Sequence, residues 1–75
     1  MGDVVELARF LLEAVSARPE EVKVEYLWTP SADLVFLKLP GRDRRRLRRE
    51  DLAALVRVVE KLGRKPGRKL VVDLR

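Results

Sequence analysis

Apolar positions at the start of the chain recur at three- and four-residue spacing. Val4, Leu7, Ala8, Leu11, Leu12 and Val15 form a single stripe, which predicts an amphipathic helix of about 14 residues. Asp3 and Glu6 stand three apart, as in a capping box, and begin it. Pro19 stops it by disfavouring helical geometry at Arg18. From Val22 the period changes to two: Val22, Val24, Tyr26 and Trp28 alternate with Lys23, Glu25 and Leu27, which predicts a half-buried strand. Thr29-Pro30-Ser31-Ala32-Asp33 has turn chemistry and makes a hairpin with the next run. That run, Leu34 to Leu39, is apolar on both faces, with Leu34 and Phe36 opposed to Val35, Leu37 and Leu39. Such a strand is central, with helices on one face and the other free to meet a subunit partner. Pro40-Gly41 ends the hairpin. Leu52, Leu55, Val56, Val59 and Leu62 then mark the buried face of a second main helix, started near Glu50 or Asp51 and ended by Gly63. Leu70, Val72 and Leu74 alternate with Val71, Asp73 and Arg75 in a last strand. The order is helix, strand, strand, short basic helical turn, helix, strand, within one domain spanning residues 1–75.

Composition narrows what such a domain can do. A chain of 75 residues without Cys or His has no disulfide, no thiolate or imidazole metal ligand and no imidazole base. No metal site, cofactor or small-molecule substrate is expected, and an enzyme is disfavoured. No apolar run approaches the ~20 residues needed to span a bilayer, and the start MGDVVEL lacks a basic n-region. A cytoplasmic protein is therefore expected. The net charge of +5 is unevenly divided: residues 1–38 sum to −3 and residues 39–75 to +8. A field polarised in this way steers a polyanion, and nucleic acid is the commonest one.

The positive half contains two concentrations of charge. GRDRRRLRRED, residues 41–51, places Arg42, Arg44, Arg45, Arg46, Arg48 and Arg49 in eight positions, broken only by Asp43 and Leu47. If this stretch is helical, arginines cover almost the whole cylinder and Leu47 is its only anchor, so it must sit at the surface. The pattern leaves open whether residues 42–62 form two helices or one. A second basic turn holds Arg64, Lys65, Arg68 and Lys69. It lacks the GK[ST] ending of a phosphate-binding loop and joins helix to strand, which excludes nucleotide hydrolysis there. Tyr26 and Trp28 have two readings: stacking platforms for unpaired bases, or a continuation of the inward face of Val22 and Val24.

The element order, the length, the opening VVELARFLLEAVSARPEEVKV and the close GRKLVVDLR resemble the type II KH domain, in particular the small bacterial single-domain KH proteins of the KhpA kind. The resemblance implies an α+β fold of order α-β-β-α-α-β, with a three-stranded sheet and helices packed on one face. It also implies a cytoplasmic RNA-binding protein, an RNA chaperone by analogy, that forms a homodimer or pairs with a larger KH-domain partner. In that family a GxxG loop between the two core helices lets backbone approach an RNA phosphate. Here the equivalent positions are Arg48, Arg49, Glu50 and Asp51, so neither glycine is present. Side chains obstruct close approach, and Glu50 and Asp51 repel phosphate. The arginines supply the alternative contact, through forked, charge-assisted donors that position RNA with little sequence specificity. The competing expectation is a degenerate KH domain that serves as a protein-interaction or ribosome-associated assembly module.

Overall fold

The computed structural model describes residues 4–75. In chain order it contains α1 (Val4–Val15), a 3-10 turn (Pro19–Glu21), β1 (Lys23–Trp28), β2 (Ala32–Lys38), α2 (Gly41–Arg46), α3 (Arg49–Gly63) and β3 (Lys69–Leu74). The protein is therefore α+β, and its three strands form one mixed sheet in the order β1-β2-β3. β1 pairs antiparallel with β2 through the hairpin, and β3 pairs parallel with β2 after the α2–α3 crossover. The capping pair expected at Asp3 lies outside the described residues. Among these residues, no helix is long and apolar enough to cross a membrane.

Register sorts the strand residues into two faces. Val24, Tyr26 and Trp28 lie beside Leu37, Val35 and Asp33, which in turn lie beside Leu74, Val72 and Leu70. Val35, Leu37 and Val72 from this set join Val4, Ala8 and Leu12 of α1 and Val59 of α3 in the buried cluster, so α1 and α3 cover this face. The opposite face carries Leu27, Leu34, Phe36 and Val71, with Glu25 and Asp73 on either side of Phe36 and Lys23, Lys38 and Lys69 toward its ends. Leu27 and Val71 there are exposed. The apolar run of β2 thus reflects a central strand with one helix-covered face, as its pattern predicts.

Several apolar expectations fail at the sheet edge and where the helices end. Tyr26 and Trp28 share the inward side but are 41% and 57% exposed, because both lie on β1, an edge strand, with Trp28 at its hairpin end. Leu62, expected in the buried stripe of α3, is 68% exposed. Helix α1 stops at Val15, before Pro19, and the proline instead opens the 3-10 turn. Gly63 is the last residue of α3 and has no positive φ. A Cβ there would run into the Val4 side chain and touch Leu70, so the glycine answers to space where α1, α3 and β3 meet. The left-handed glycine is Gly67, φ 77°. It follows Pro66 in a turn closed by the Arg68 N–H donating to the Lys65 carbonyl at 3.2 Å, the Pro-Gly arrangement of a type II turn.

Candidate functional site

The arginine-rich stretch is two helices separated by a short extended link. The Leu47 N–H still donates to the Asp43 carbonyl (2.9 Å), after which Leu47 and Arg48 both turn extended, with ψ 145° and 153°. The Leu52 N–H then bonds the Arg48 carbonyl (3.1 Å) and α3 is under way. Six residues of α2 are too few to be helical alone, so tertiary contacts hold them in place. The anchor is Asp43, only 1% exposed. Its carboxylate accepts hydrogen bonds from the Ser16 hydroxyl, the Ala17 N–H (3.0 Å) and Arg46 Nη2 (3.2 Å). These bonds, the Ala17 one foremost, hold the Asp43 carboxyl below the ordinary carboxylate value against the opposing effect of burial. Arg46 Nη2 also donates to the Val15 carbonyl at 2.7 Å, placing a cation on the C-terminal end of α1 where the helix dipole favours it. The expectation that Leu47 is the only anchor is thus corrected: Leu47 is partly buried against the core, but α2 is pinned by Asp43.

Pinning α2 in this way opens a groove between it, α3 and β3. Arg44, Arg45, Arg49 and Arg57 line it, over an apolar floor of Leu47, Leu52, Val56 and Leu74, with Glu60 and Asp73 as its acids. Of the six arginines singled out in the sequence, Arg44, Arg45 and Arg49 reach the groove. Arg46 is turned toward α1, and Arg42 and Arg48 are exposed outside the lining. At the positions matched to the glycine loop, Arg48 falls in the link, while Arg49, Glu50 and Asp51 form the first turn of α3. Glu50 and Asp51 are exposed and take no part in the lining, so the two acids do not face the groove. Arg57 is not among the residues that the sequence pattern singles out. It stands eight residues after Arg49 with Ala53 midway, a four-residue spacing that places all three on one helix face, and that spacing is the signal that could have found it.

The second basic segment lies at the other end of the sheet. β2 runs from the hairpin to α2, α3 returns, and residues 64–68 therefore close on the hairpin. Arg68 shows this directly, because it donates to Asp33 Oδ1 from Nε (3.2 Å) and Nη2 (3.1 Å) and to the Thr29 carbonyl (2.6 Å). Tyr26 Oη donates to the same carboxylate oxygen at 2.7 Å. Asp33, buried, is held below the ordinary carboxylate value first by that phenol and next by Arg68, and the Tyr26 phenol is correspondingly pushed up. The Arg68 guanidinium also lies 5.1 Å from the centroid of the Trp28 ring, within cation–π range. The remaining basic residues of the turn, Arg64, Lys65 and Lys69, are exposed. A shallow hollow lined by Arg57, Glu60, Lys61, Arg64, Lys69 and Leu70 shares Arg57 and Glu60 with the groove. The two basic concentrations are therefore joined along α3. Among the described residues, no group of His, Cys, Asp and Glu side chains is placed to hold a metal ion.

No family model, no curated protein and no solved structure matches the chain.

Proposed function

We propose that the chain is a small cytoplasmic RNA-binding protein of the type II KH kind, with low sequence specificity and no catalytic role. The observation that carries the reading is the groove between α2, α3 and β3, where Arg44, Arg45, Arg49 and Arg57 surround an apolar floor. Guanidinium groups meet phosphate oxygens with forked donors, and an apolar floor accepts the faces of unpaired bases. Phosphate contacts fix position without reading bases, which is why low specificity accompanies this lining. The helix–strand order and the parallel β2–β3 pair support the KH assignment. Arginine side chains take the place of glycine-loop backbone as the phosphate contact.

The test is a titration with single-stranded RNA over a range of salt. Wild type should bind at low salt and weaken steeply as salt rises. Each phosphate contact contributes about 0.7 to the logarithmic slope, so replacing Arg44, Arg45 and Arg49 by Gln should flatten it by about 2. Replacing Arg46 by Gln should lower the melting temperature and leave the slope nearly unchanged, because that guanidinium holds α1 and α2 together. Absence of RNA affinity at low salt, or affinity indifferent to salt, overturns the proposal. One observation favours an assembly module instead: the exposed Leu27 and Val71 beside Leu34 and Phe36 on the uncovered sheet face. Under that reading the triple Gln variant shows no RNA phenotype, and replacing Leu27 and Val71 by Ser changes the mass of the assembly.

A further inference from the structure

We infer that the hairpin end of the sheet is a second contact for single-stranded nucleic acid, in which one unpaired base stacks on Trp28 while the basic turn beside it holds the adjoining phosphates. The inference rests on the RNA-binding reading above and adds a subsite at the opposite end of the molecule from the arginine helix.

Trp28 stands at the hairpin end of the sheet with one neighbour over its ring and much of its surface exposed. It ends β1, an edge strand of the sheet, and leaves 57% of its surface in water. More than half of its surface is therefore open to a ligand. What the fold provides here is a fixed ring. The Arg68 guanidinium lies over the indole at 5.1 Å and is itself held by Asp33 and by the Thr29 carbonyl. Tyr26 steadies Asp33 from the same side of the sheet. The ring therefore has a rigid backing, and its ordering is largely complete before a ligand arrives, which is how a stacking platform avoids losing affinity to side-chain entropy.

The same geometry separates the basic residues of the turn into two jobs. Arg68 spends its donors on Asp33 and Thr29 and acts as backing for the indole. Arg64, Lys65 and Lys69 are exposed and form, with Pro66 and Gly67, the rim of a shallow depression beside Arg68. They share the turn with Arg68, and Lys65 lies close enough for its charge to act on Asp33; an aromatic face with cations in its neighbourhood is the combination that binds a single strand without reading its sequence. Stacking requires a base. A sugar–phosphate or polyphosphate chain can satisfy only the cations.

Trp28 is the only tryptophan in the chain, so its fluorescence reports this site and no other. Wild type is titrated at low salt with oligouridylate and, separately, with inorganic polyphosphate, and binding is followed by anisotropy of labelled oligouridylate alongside indole emission. Oligouridylate should quench the indole in step with binding. Polyphosphate should displace labelled oligouridylate and restore the emission. Trp28→Leu should weaken oligouridylate about tenfold while leaving the melting temperature close to wild type, and Trp28→Phe should recover most of the loss. If oligouridylate binds with the expected salt dependence, yet indole emission is unchanged and Trp28→Leu binds as tightly as wild type, the platform is wrong and the RNA-binding reading stands. If oligouridylate does not bind at low salt, both fall.

Discussion

Asp43 is the residue on which the arginine helix depends, and its chemistry makes that dependence measurable. A lone acid among six arginines looks like a local charge correction. In the fold it is the buried partner of the Ser16 hydroxyl, the Ala17 N–H and the Arg46 guanidinium. Because those donors favour the ionised form, the carboxyl is held below the ordinary value, which is about 3.9 in an unfolded chain. Over the interval between the two values the unfolded state binds the proton more readily. The stability that Asp43 confers is therefore complete above the ordinary value and is lost as pH falls through the folded one. Asp33 has the same sign. Thermal melts from about pH 6 down to about pH 3 should show wild type losing stability through this acid window. Asp43→Asn should melt lower at the upper end and lose less on acidification. An unchanged acid slope in the variant would mean that the Asp43 bonds do not form in solution.

The end of α3 closes tightly on α1 and the start of β3, and Gly63 is the residue that permits it. Alanine would be the better helix former by about 1 kcal/mol in a helix interior. Its methyl group, however, would overlap Val4, a buried β-branched side chain with little freedom to turn away. Overpacking of this kind costs about 1 to 3 kcal/mol, and at a helix terminus the propensity gain is smaller than in the interior. Gly63→Ala should therefore destabilise by on the order of 1 kcal/mol, seen as a lower denaturant midpoint with an unchanged slope, and a midpoint at or above wild type would refute the close approach. Gly63 also shows the limit of what the sequence made legible. Period-two and period-3.6 patterns place all three strands and both main helices, because burial on one face writes itself into alternate or every third and fourth residue. Whether a glycine at a helix end serves backbone conformation or interhelical space depends on a neighbour nearly sixty positions away, which no local pattern encodes. The same holds for Asp43 and Ser16, whose pairing joins two segments with no shared periodicity, and for Tyr26 and Trp28, whose alternation is sound although their place on an edge strand leaves them exposed. Of the candidate site, the pattern marks Arg44, Arg45 and Arg49. It does not distinguish them from Arg46, because only the docking of α2 decides which guanidinium groups are committed to structure.

At the scale of the whole molecule, the charge division read from the two halves of the chain becomes a path. The arginines of the groove and the cations of the basic turn lie at opposite ends of the sheet, and Arg57 and Lys61 on α3 connect them. From Arg49 to Gly63 the helix rises about 21 Å, in a body measuring 36 × 23 × 17 Å. A strand lying along α3 would meet both ends at once, and a short one would meet only one of them. Linking two contacts in a single ligand makes the second effectively intramolecular, provided the ligand spans the distance. Oligouridylates of about 4 and about 16 nucleotides bracket the site sizes typical of small single-strand binders. On wild type the longer one should bind more tightly, by more than its extra registers explain, and with a steeper salt slope. Replacing Lys61 by Gln removes a cation of the path that belongs to neither end, leaving Arg44, Arg45, Arg49, Arg57 and the turn in place. That variant should lose part of the advantage of the longer ligand and leave the shorter one nearly unaffected. Equal losses for the two lengths would mean that each end binds alone and that the connection along α3 is one of shape without energetic coupling.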